Sequence, residues 1–244
     1  MRRLLEPRYS HILTYPSSDV GEAKSRVREL SGMGVSSLCF SGVSLVDGVQ
    51  VLGKGCVGIV TQATLDGDLV ALKIRRTDAD RPSMNDEVRL LRLANSVGVG
   101  PQLITATRNF LAMKLFDGIP LFRWAESSNP RKREVRQVVA RLLADCFSLD
   151  SIGLDHGELS HAPKNVLVSR SDSPCIVDFE SASTVRRPAN VTSLLQYFLF
   201  GRVSRMLQVS KIFPDRRSVV KTLVDYKREG SVESFQRVLS ALGV

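Results

Sequence analysis

The chain has 244 residues, of which 43% are hydrophobic and 24% charged, a balance typical of a globular protein that can bury a sizeable core. No apolar run approaches the roughly 20 residues that span a bilayer, so we expect a cytosolic protein with no membrane partner. The four cysteines lie far apart and never form C-x-x-C, which indicates neither a disulfide framework nor a zinc site.

The net charge of +9 is concentrated toward the C-terminal end of the chain. From Arg186 to Val244 there are 11 Lys or Arg against 4 Asp or Glu, a net charge of +7. Such a bias favours a polyanionic partner, nucleic acid above all; the alternative is a solvated basic face that keeps the protein soluble. The candidate nucleic-acid contacts are Arg186, Arg187, Arg202, Arg205, Arg216 and Arg217.

Residues 1–47 are expected to form an N-terminal extension, a helix plus a strand, that packs on the domain after it. A turn at 16–19 precedes a helix at about 19–31, in which Asp19 and Glu22 have the spacing of a capping pair. A strand is expected at 35–40.

Residues 48–117 are predicted to form a small lobe of antiparallel strands. Asp66-Gly67 between two apolar runs is a strong two-residue hairpin signal, and Gly98 with Gly100-Pro101 ends a helix. The expected elements are strands at 49–52, 59–65, 69–74, 102–106 and 109–115, and a helix at 84–95.

Residues 118–244 are predicted to form a compact, basic and mostly helical lobe. The sequence D-G-I-P at 117–120 breaks the pattern and is interpreted as a hinge between the lobes. Apolar residues at one-face spacing predict a buried helix at 132–149. The other expected elements are strands at 166–169 and 174–178 and helices at 190–208, 215–228 and 231–242. The predicted class is therefore α+β with two lobes.

A glycine-rich sequence at residues 53–60 has the spacing G-x-G-x-x-G-x-V. In dinucleotide-binding folds this spacing opens a helix, but the β-branched residues at 59–65 predict a strand. A glycine turn between two strands is how a kinase-type loop covers phosphates, because glycines let backbone N–H groups approach closely. The candidate nucleotide-binding residues of this loop are Gly53, Lys54, Gly55, Gly58 and Val60.

The sequence V-A-L-K at 70–73 places Lys73 in an apolar strand, where its ammonium group needs a partner. Glu87, in the helix that follows, is the candidate partner, and the adjacent Asp86 is the alternative. In this interpretation Lys73 binds the α- and β-phosphates of a nucleotide. The structural alternative is a strand-end lysine that reaches water.

Two further motifs supply acidic groups. His156-Gly157-Glu158-Leu159 begins a candidate catalytic loop, with Asn165 after it, and we expect His156 to brace the loop rather than transfer protons. Asp178 directly follows an apolar strand, a position from which an acid can hold Mg²⁺ against nucleotide phosphates.

In this order the motifs resemble the protein-kinase-like superfamily over residues 48–200. The His-Gly pair is similar to that of small atypical kinases, including Bud-type kinases and aminoglycoside phosphotransferases. The N-terminal segment, H-G-E-L and D-F-E-S-A-S more closely resemble a compact archaeal group labelled predicted serine/threonine kinases. That group is similar to the archaeal RNA kinases, which phosphorylate a ribose 2′-hydroxyl of tRNA.

The resemblance implies a two-lobed kinase-like fold, ATP and Mg²⁺ as cofactors, and phosphoryl transfer to a hydroxyl, with tRNA as the expected acceptor. Lys73 and Glu87 would hold the nucleotide, Asp178 and Asn165 the metal ion, and Glu158 would orient the acceptor hydroxyl and take its proton. A serine/threonine protein kinase is the second reading, and a pseudokinase that binds nucleotide or RNA is the third.

Three departures from the protein-kinase pattern bear on this choice. Glu158 replaces an aspartate and is one methylene longer, and Asn165 follows it by seven residues instead of five. Glu180 replaces the glycine after Asp-Phe, and no A-P-E sequence follows. Glu180 and the missing A-P-E sequence, which together form the third departure, argue against a switchable protein kinase and leave room for a bulky, non-protein acceptor.

Overall fold

The computed structural model describes residues 2–128, 130–161, 164–201, 203–204 and 216–244. The predicted α+β class is confirmed. The chain divides into two compact units, Met1–Arg92 with Pro101–Leu115 and Leu93–Gly100 with Phe116–Val244. Within the described ranges, no helix is both long and apolar enough to cross a membrane. Arg202, Arg205 and most of the segment 201–215 fall outside those ranges.

The first unit contains an antiparallel sheet with the strand order β1-β5-β6-β8-β7, in which β4 also pairs with β5. A separate hairpin joins β2 and β3. The strands are β1 (Val35–Cys39), β2 (Ser44–Val46), β3 (Val49–Val51), β4 (Gly53–Lys54), β5 (Gly58–Leu65), β6 (Asp68–Arg75), β7 (Leu103–Ala106) and β8 (Phe110–Lys114). The helices are α1 (Pro7–Thr14), α2 (Val20–Gly32) and α3 (Asn85–Asn95), which begins in this unit.

The β5–β6 hairpin sets the register of the sheet. Leu65 pairs with Asp68 across a two-residue turn, and both turn residues, Asp66 and Gly67, have positive φ angles, 50° and 96°. This is the primed turn that matches strand twist, so the predicted hairpin is confirmed. Its register places Val60 opposite Lys73.

The N-terminal segment shares the hydrophobic core of the sheet. Ile12 and Leu30 lie in the same buried cluster as Ile59 and Leu72. Fully buried Arg26 donates to the side chain of Glu22 and to the carbonyl oxygens of two other residues, Leu13 and Arg75. The predicted cap at Asp19 is confirmed by its hydrogen bond from the Glu22 N–H. Helix α1 was not predicted from the sequence.

The second unit is mostly helical, with a three-stranded antiparallel sheet in the order β11-β10-β9. Its strands are β9 (Gly118–Pro120), β10 (Val166–Ser169) and β11 (Pro174–Ile176). Its helices are α4 (Leu121–Ser127), α5 (Lys132–Ser151), α6 (Asn190–Phe200), α7 (Arg216–Glu229) and α8 (Val232–Leu242). The apolar face predicted for α5 is buried.

Three local predictions differ from the structure in this unit. The helix predicted at 190–208 ends at Phe200, because Gly201 adopts an extended backbone conformation. The segment interpreted as a hinge contains β9, whose residues 118–120 pair with residues 167–169 of β10. The strand predicted at 174–178 ends at Ile176, because Asp178 adopts a left-handed backbone conformation that no extended strand can include.

Candidate functional site

The glycine-rich sequence forms a strand–turn–strand unit. Gly53 pairs with Val60 and Lys54 with Ile59, and the Gly55 N–H donates to the carbonyl oxygen of Gly58 at 2.8 Å. The residues that follow the turn form β5 rather than a helix. The geometry is therefore that of a glycine-rich β-hairpin turn and differs from a dinucleotide fingerprint, in which the glycines open a helix.

Gly58 is required by the path of the Lys73 side chain. A Cβ atom at position 58 would lie 2.9 Å from both Cγ and Cε of Lys73 and 3.0 Å from the carbonyl oxygen of Ile74. At Gly53 the same construction meets no atom within 4 Å. Gly58 thus serves packing, whereas Gly53 leaves open space beside the loop.

Lys73 and Glu87 form a buried ion pair. Lys73 Nζ lies 2.8 Å from Glu87 Oε1, and the two side chains are 3% and 5% exposed. The pairing predicted from the sequence is therefore present, whereas Asp86 is exposed. Removing two charges from water is costly and is offset only by close mutual contact, so each group fixes the other in place.

Arg76, the residue directly after β6, binds the turn through both its side chain and its backbone. Its Nη1 donates to the carbonyl oxygen of Gly55 at 2.9 Å, and its backbone N–H donates to that of Val57 at 2.8 Å. Asp78 accepts two hydrogen bonds from the guanidinium group and thereby raises the pKa of Arg76. Sequence reasoning missed Arg76, because only the hairpin register reveals that it lies beside the loop.

In the second unit, both oxygens of Glu158 accept hydrogen bonds. Ser181 Oγ donates to Oε1 at 2.6 Å, and Asn165 Nδ2 donates to Oε2 at 2.9 Å. The bond from Ser181, followed by that from Asn165, lowers the pKa of Glu158, against partial burial and the charge of Asp178. Glu158 is therefore ionised at neutral pH with its plane fixed.

Asn165 thus reaches Glu158 despite the longer spacing between them. It is almost fully buried, and its carbonyl oxygen accepts from the Val177 N–H at 2.9 Å. The chain between Glu158 and Asn165 includes a 3-10 turn at Leu159–His161. The amide is the predicted metal ligand, and in the structure it also orients the predicted base.

Asp178 has φ 68° and ψ 76° and precedes a 3-10 turn at Phe179–Ser181. A positive φ is unfavourable for a residue with a Cβ atom, and such residues cluster at functional sites. The negative charge of Asp178 raises the pKa of both Glu158 and His156, although other causes outweigh it in each case. The carboxylates of Asp178 and Glu158 therefore repel each other electrostatically.

His156 braces this loop, as expected. Its side chain is fully buried, Nε2 lies 3.0 Å from the carbonyl oxygen of Val177, and the ring meets the ring of Phe179 edge-on at 5.0 Å. Since a carbonyl oxygen only accepts, Nε2 carries the proton. Burial lowers the pKa of His156, so the imidazole is neutral and links the loop to the residues around Asp178.

The segment after Asp178 is bound to the same loop. Asp155 and Ser183 exchange backbone hydrogen bonds of 2.9 and 2.8 Å. Arg186 forms a 2.8 Å ion pair with Asp155 and donates to the carbonyl oxygen of Ser181 at 2.6 Å. Glu180 is buried in the 3-10 turn. Sequence reasoning missed Asp155 and Ser181, whose partners are distant in the chain.

The other described arginines predicted to bind nucleic acid also have contacts within the chain. Arg187 donates to the carbonyl oxygen of Lys227. Arg216 donates to that of Leu199 at 2.5 Å and lies over the ring of Phe200. Arg216 and Arg217 are exposed in the first turn of α7. Their contacts with phosphate remain a prediction.

A pocket of about 480 Å³ opens in the second unit beside β9 and β10. Its lining includes Asp117, Trp124, Glu134 and Asp172 but none of the predicted site residues that the structure describes. Trp124 Nε1 donates to Asp172 Oδ1 at 2.8 Å, so two of these polar groups satisfy each other.

The donor chemistry of Asp178 and Asn165 fits Mg²⁺, which binds few protein oxygens and completes its shell with phosphate and water. In the parts of the chain that the structure describes, no three His, Cys, Asp or Glu side chains converge as a metal-binding group.

No protein-family model matches this chain, and a search of curated proteins finds no significant match.

Proposed function

We propose that this chain is an ATP-dependent phosphotransferase with a two-lobed, protein-kinase-like fold. The observation that carries the proposal is the buried Lys73–Glu87 pair beside the glycine-rich turn, with Gly58 packed on the Lys73 side chain. An ammonium group fixed next to a glycine-rich turn suits the oxygens of a polyphosphate.

The second unit supplies the groups that would hold Mg²⁺ and the group that would act on the acceptor. Asp178 and Asn165 would hold Mg²⁺, which when bound neutralises charge on the nucleotide phosphates. Glu158 would accept the proton of the attacking hydroxyl. Its lowered pKa makes it a weak base, so its contribution is mainly to orient that hydroxyl. Ser181 Oγ, 2.6 Å from Oε1, already shows that Glu158 can accept from a hydroxyl.

For the acceptor we propose a ribose 2′-hydroxyl of tRNA. Three observations support it: the net charge of +7 after residue 185, the resemblance to RNA kinases, and the short segment between Asp178 and α6. That segment is bound to the catalytic loop through Arg186 and lacks the length with which protein kinases dock peptides. Phosphate contacts by the basic residues would make tRNA binding weaken steeply with salt.

Incubation with γ-labelled ATP, Mg²⁺ and either unmodified tRNA or a generic acceptor protein tests the proposal. Label that enters only tRNA and resists protease supports it. Label that enters only protein indicates a serine/threonine kinase, and tight ATP binding without transfer indicates a pseudokinase. Asp178→Ala should abolish transfer to either acceptor, whereas Asp80→Ala, at an exposed position in the first unit, should not. Full activity of Asp178→Ala would overturn the site.

A further inference from the structure

We infer that the N-terminal segment is part of the nucleotide site and that Tyr15 is a positioning residue that holds the glycine-rich loop, residues 53–58, in its binding shape. The inference rests on the proposed nucleotide role of that loop. It assigns a function to residues that carry no sequence motif, and it involves contacts within the first unit alone.

Tyr15 contacts the first strand of the loop through Lys54. Lys54 Nζ donates to the hydroxyl oxygen of Tyr15 at 2.5 Å and lies 4.2 Å from the centroid of its ring. The hydroxyl thus binds an ammonium group that also lies close to the ring. A cation near an aromatic ring is attracted electrostatically even at an exposed position.

Tyr15 contacts the other side of the loop through Arg76. The guanidinium carbon of Arg76 lies 5.1 Å from the same ring centroid, while Arg76 binds the carbonyl oxygens of Gly55 and Val57. One aromatic side chain therefore lies against both of the cationic residues attached to the loop. Loss of the ring would release Lys54 and remove a support of Arg76 at once.

Tyr15 is itself fixed. Its carbonyl oxygen accepts from the Thr77 N–H at 2.9 Å, and the carbonyl oxygen of Thr14 accepts from Thr77 Oγ1 at 2.9 Å. The ring is half-buried against the core cluster of the first unit and meets the His11 ring edge-on at 5.3 Å. The segment thus provides a rigid base, whereas a mobile surface aromatic would hold nothing in place.

The benefit to binding is entropic. Glycine residues lose more conformational freedom on ordering than any other type, so a glycine-rich loop that orders only around its ligand weakens the affinity. Contacts that order the loop beforehand reduce that loss. The structure thus assigns Tyr15 an effect on nucleotide affinity without direct contact with the nucleotide.

The test compares Tyr15→Phe and Tyr15→Leu with Tyr9→Leu as the matched control. Tyr9 lies in α1 of the same segment, and its ring stacks on Phe40 at 5.1 Å. Calorimetry gives the Kd for ATP, and hydrogen–deuterium exchange without nucleotide reports on residues 53–58. Tyr15→Leu should raise the Kd roughly five- to tenfold and Tyr15→Phe roughly two- to threefold, with faster exchange in both. Tyr9→Leu should leave both quantities unchanged.

A double-mutant cycle separates this role from direct phosphate binding by Lys54. If Lys54 acts through Tyr15, Lys54→Met and Tyr15→Leu together should weaken ATP binding less than the product of their separate effects. Fully multiplicative effects, or a Kd and exchange rate in Tyr15→Phe and Tyr15→Leu equal to those of the wild type, would overturn the inference. A wild-type protein that binds no ATP would refute the proposed function instead, and the exchange rates would still test the anchoring of the loop.

Discussion

The candidate residues fall into two halves, one in each unit, and the two halves are held in place by different means. In the first unit, strand register places the glycine turn beside Lys73, and a buried ion pair with Glu87 fixes the ammonium group. In the second unit, Glu158 is only partly buried and is oriented by side-chain hydrogen bonds from Ser181 and Asn165. One half depends on packing and burial, and the other on a local network of polar groups.

This difference predicts that substitutions in the two halves have different consequences. A buried charge that loses its partner is strongly destabilising, whereas a partly exposed carboxylate can be solvated when a neighbour is removed. Substitutions in the first half should therefore act mainly on the free energy of unfolding and on nucleotide affinity. Substitutions in the second half should act mainly on transfer and its pH dependence.

The largest effect is expected for Glu87→Ala. Lys73 would remain in the strand as a buried charge without its carboxylate, which costs about 3–5 kcal/mol of unfolding free energy. Chemical denaturation measures the loss. Asp86→Ala, at the adjacent exposed position, should change stability by less than about 0.5 kcal/mol.

The double variant Lys73→Met/Glu87→Leu sharpens this test. It removes both charges and fills the same space, so most of the stability lost in Glu87→Ala should return. ATP binding should remain weak, because the ammonium group is gone. If Glu87→Ala were no less stable than Asp86→Ala, the pair would not be what holds this half in place.

A smaller effect is expected for Gly58→Ala. The added methyl group would meet the Lys73 side chain, which cannot yield easily because its ammonium group is bound to Glu87, and also the Ile74 carbonyl oxygen. Overpacking of this kind costs about 1–3 kcal/mol, and ATP affinity should fall with it. Gly53→Ala should leave stability nearly unchanged, so any loss of affinity there would report close approach of the ligand. Equal stability losses in the two variants would contradict the packing role of Gly58.

The features that could be predicted from sequence depend on short-range patterns. Asp66-Gly67 fixed the hairpin, and the hairpin fixed the register around Lys73. The period of α5 predicted its buried face. The contacts that were missed join residues far apart in the chain, such as Arg186 with Asp155 and Tyr15 with Lys54. No periodicity or local propensity encodes such pairs, because only tertiary packing brings them together.

The left-handed backbone conformation of Asp178 predicts a difference of about 1 kcal/mol in stability between two variants at this position. Asp178→Gly and Asp178→Ala both remove the carboxylate and should both abolish transfer. Glycine adopts the observed φ of 68° freely, whereas alanine is strained there. The glycine variant should therefore be the more stable by about 1 kcal/mol, the reverse of the order in a helix. Alanine as the more stable variant would indicate that the loop relaxes once the carboxylate is lost.

The smallest effect on stability, and the most specific for chemistry, is expected for Ser181→Ala. Because the folded-state pKa of Glu158 is lowered, its ionised form stabilises the protein above the unfolded pKa near 4.5, and that stabilisation is lost as the pH falls through the folded-state pKa. Removing the Ser181 hydroxyl removes the largest cause of the lowered pKa. The acid limb of the pH–rate profile should move to higher pH, and transfer at neutral pH should fall roughly fivefold, as expected for one hydrogen bond.

Two companion variants decide whether the Ser181 hydroxyl itself is responsible. Ser183 Oγ accepts from the backbone N–H groups of Val185 and Arg186, so Ser183→Ala disturbs the same segment without removing a donor to Glu158. It should leave the acid limb where it is in the wild type. Ser181→Thr keeps a hydroxyl and should restore the limb. An acid limb that moved equally in Ser181→Ala and Ser183→Ala would mean that the segment, and not the hydrogen bond, sets the protonation of Glu158. The candidate residues of the second unit would then depend on packing, as those of the first unit do.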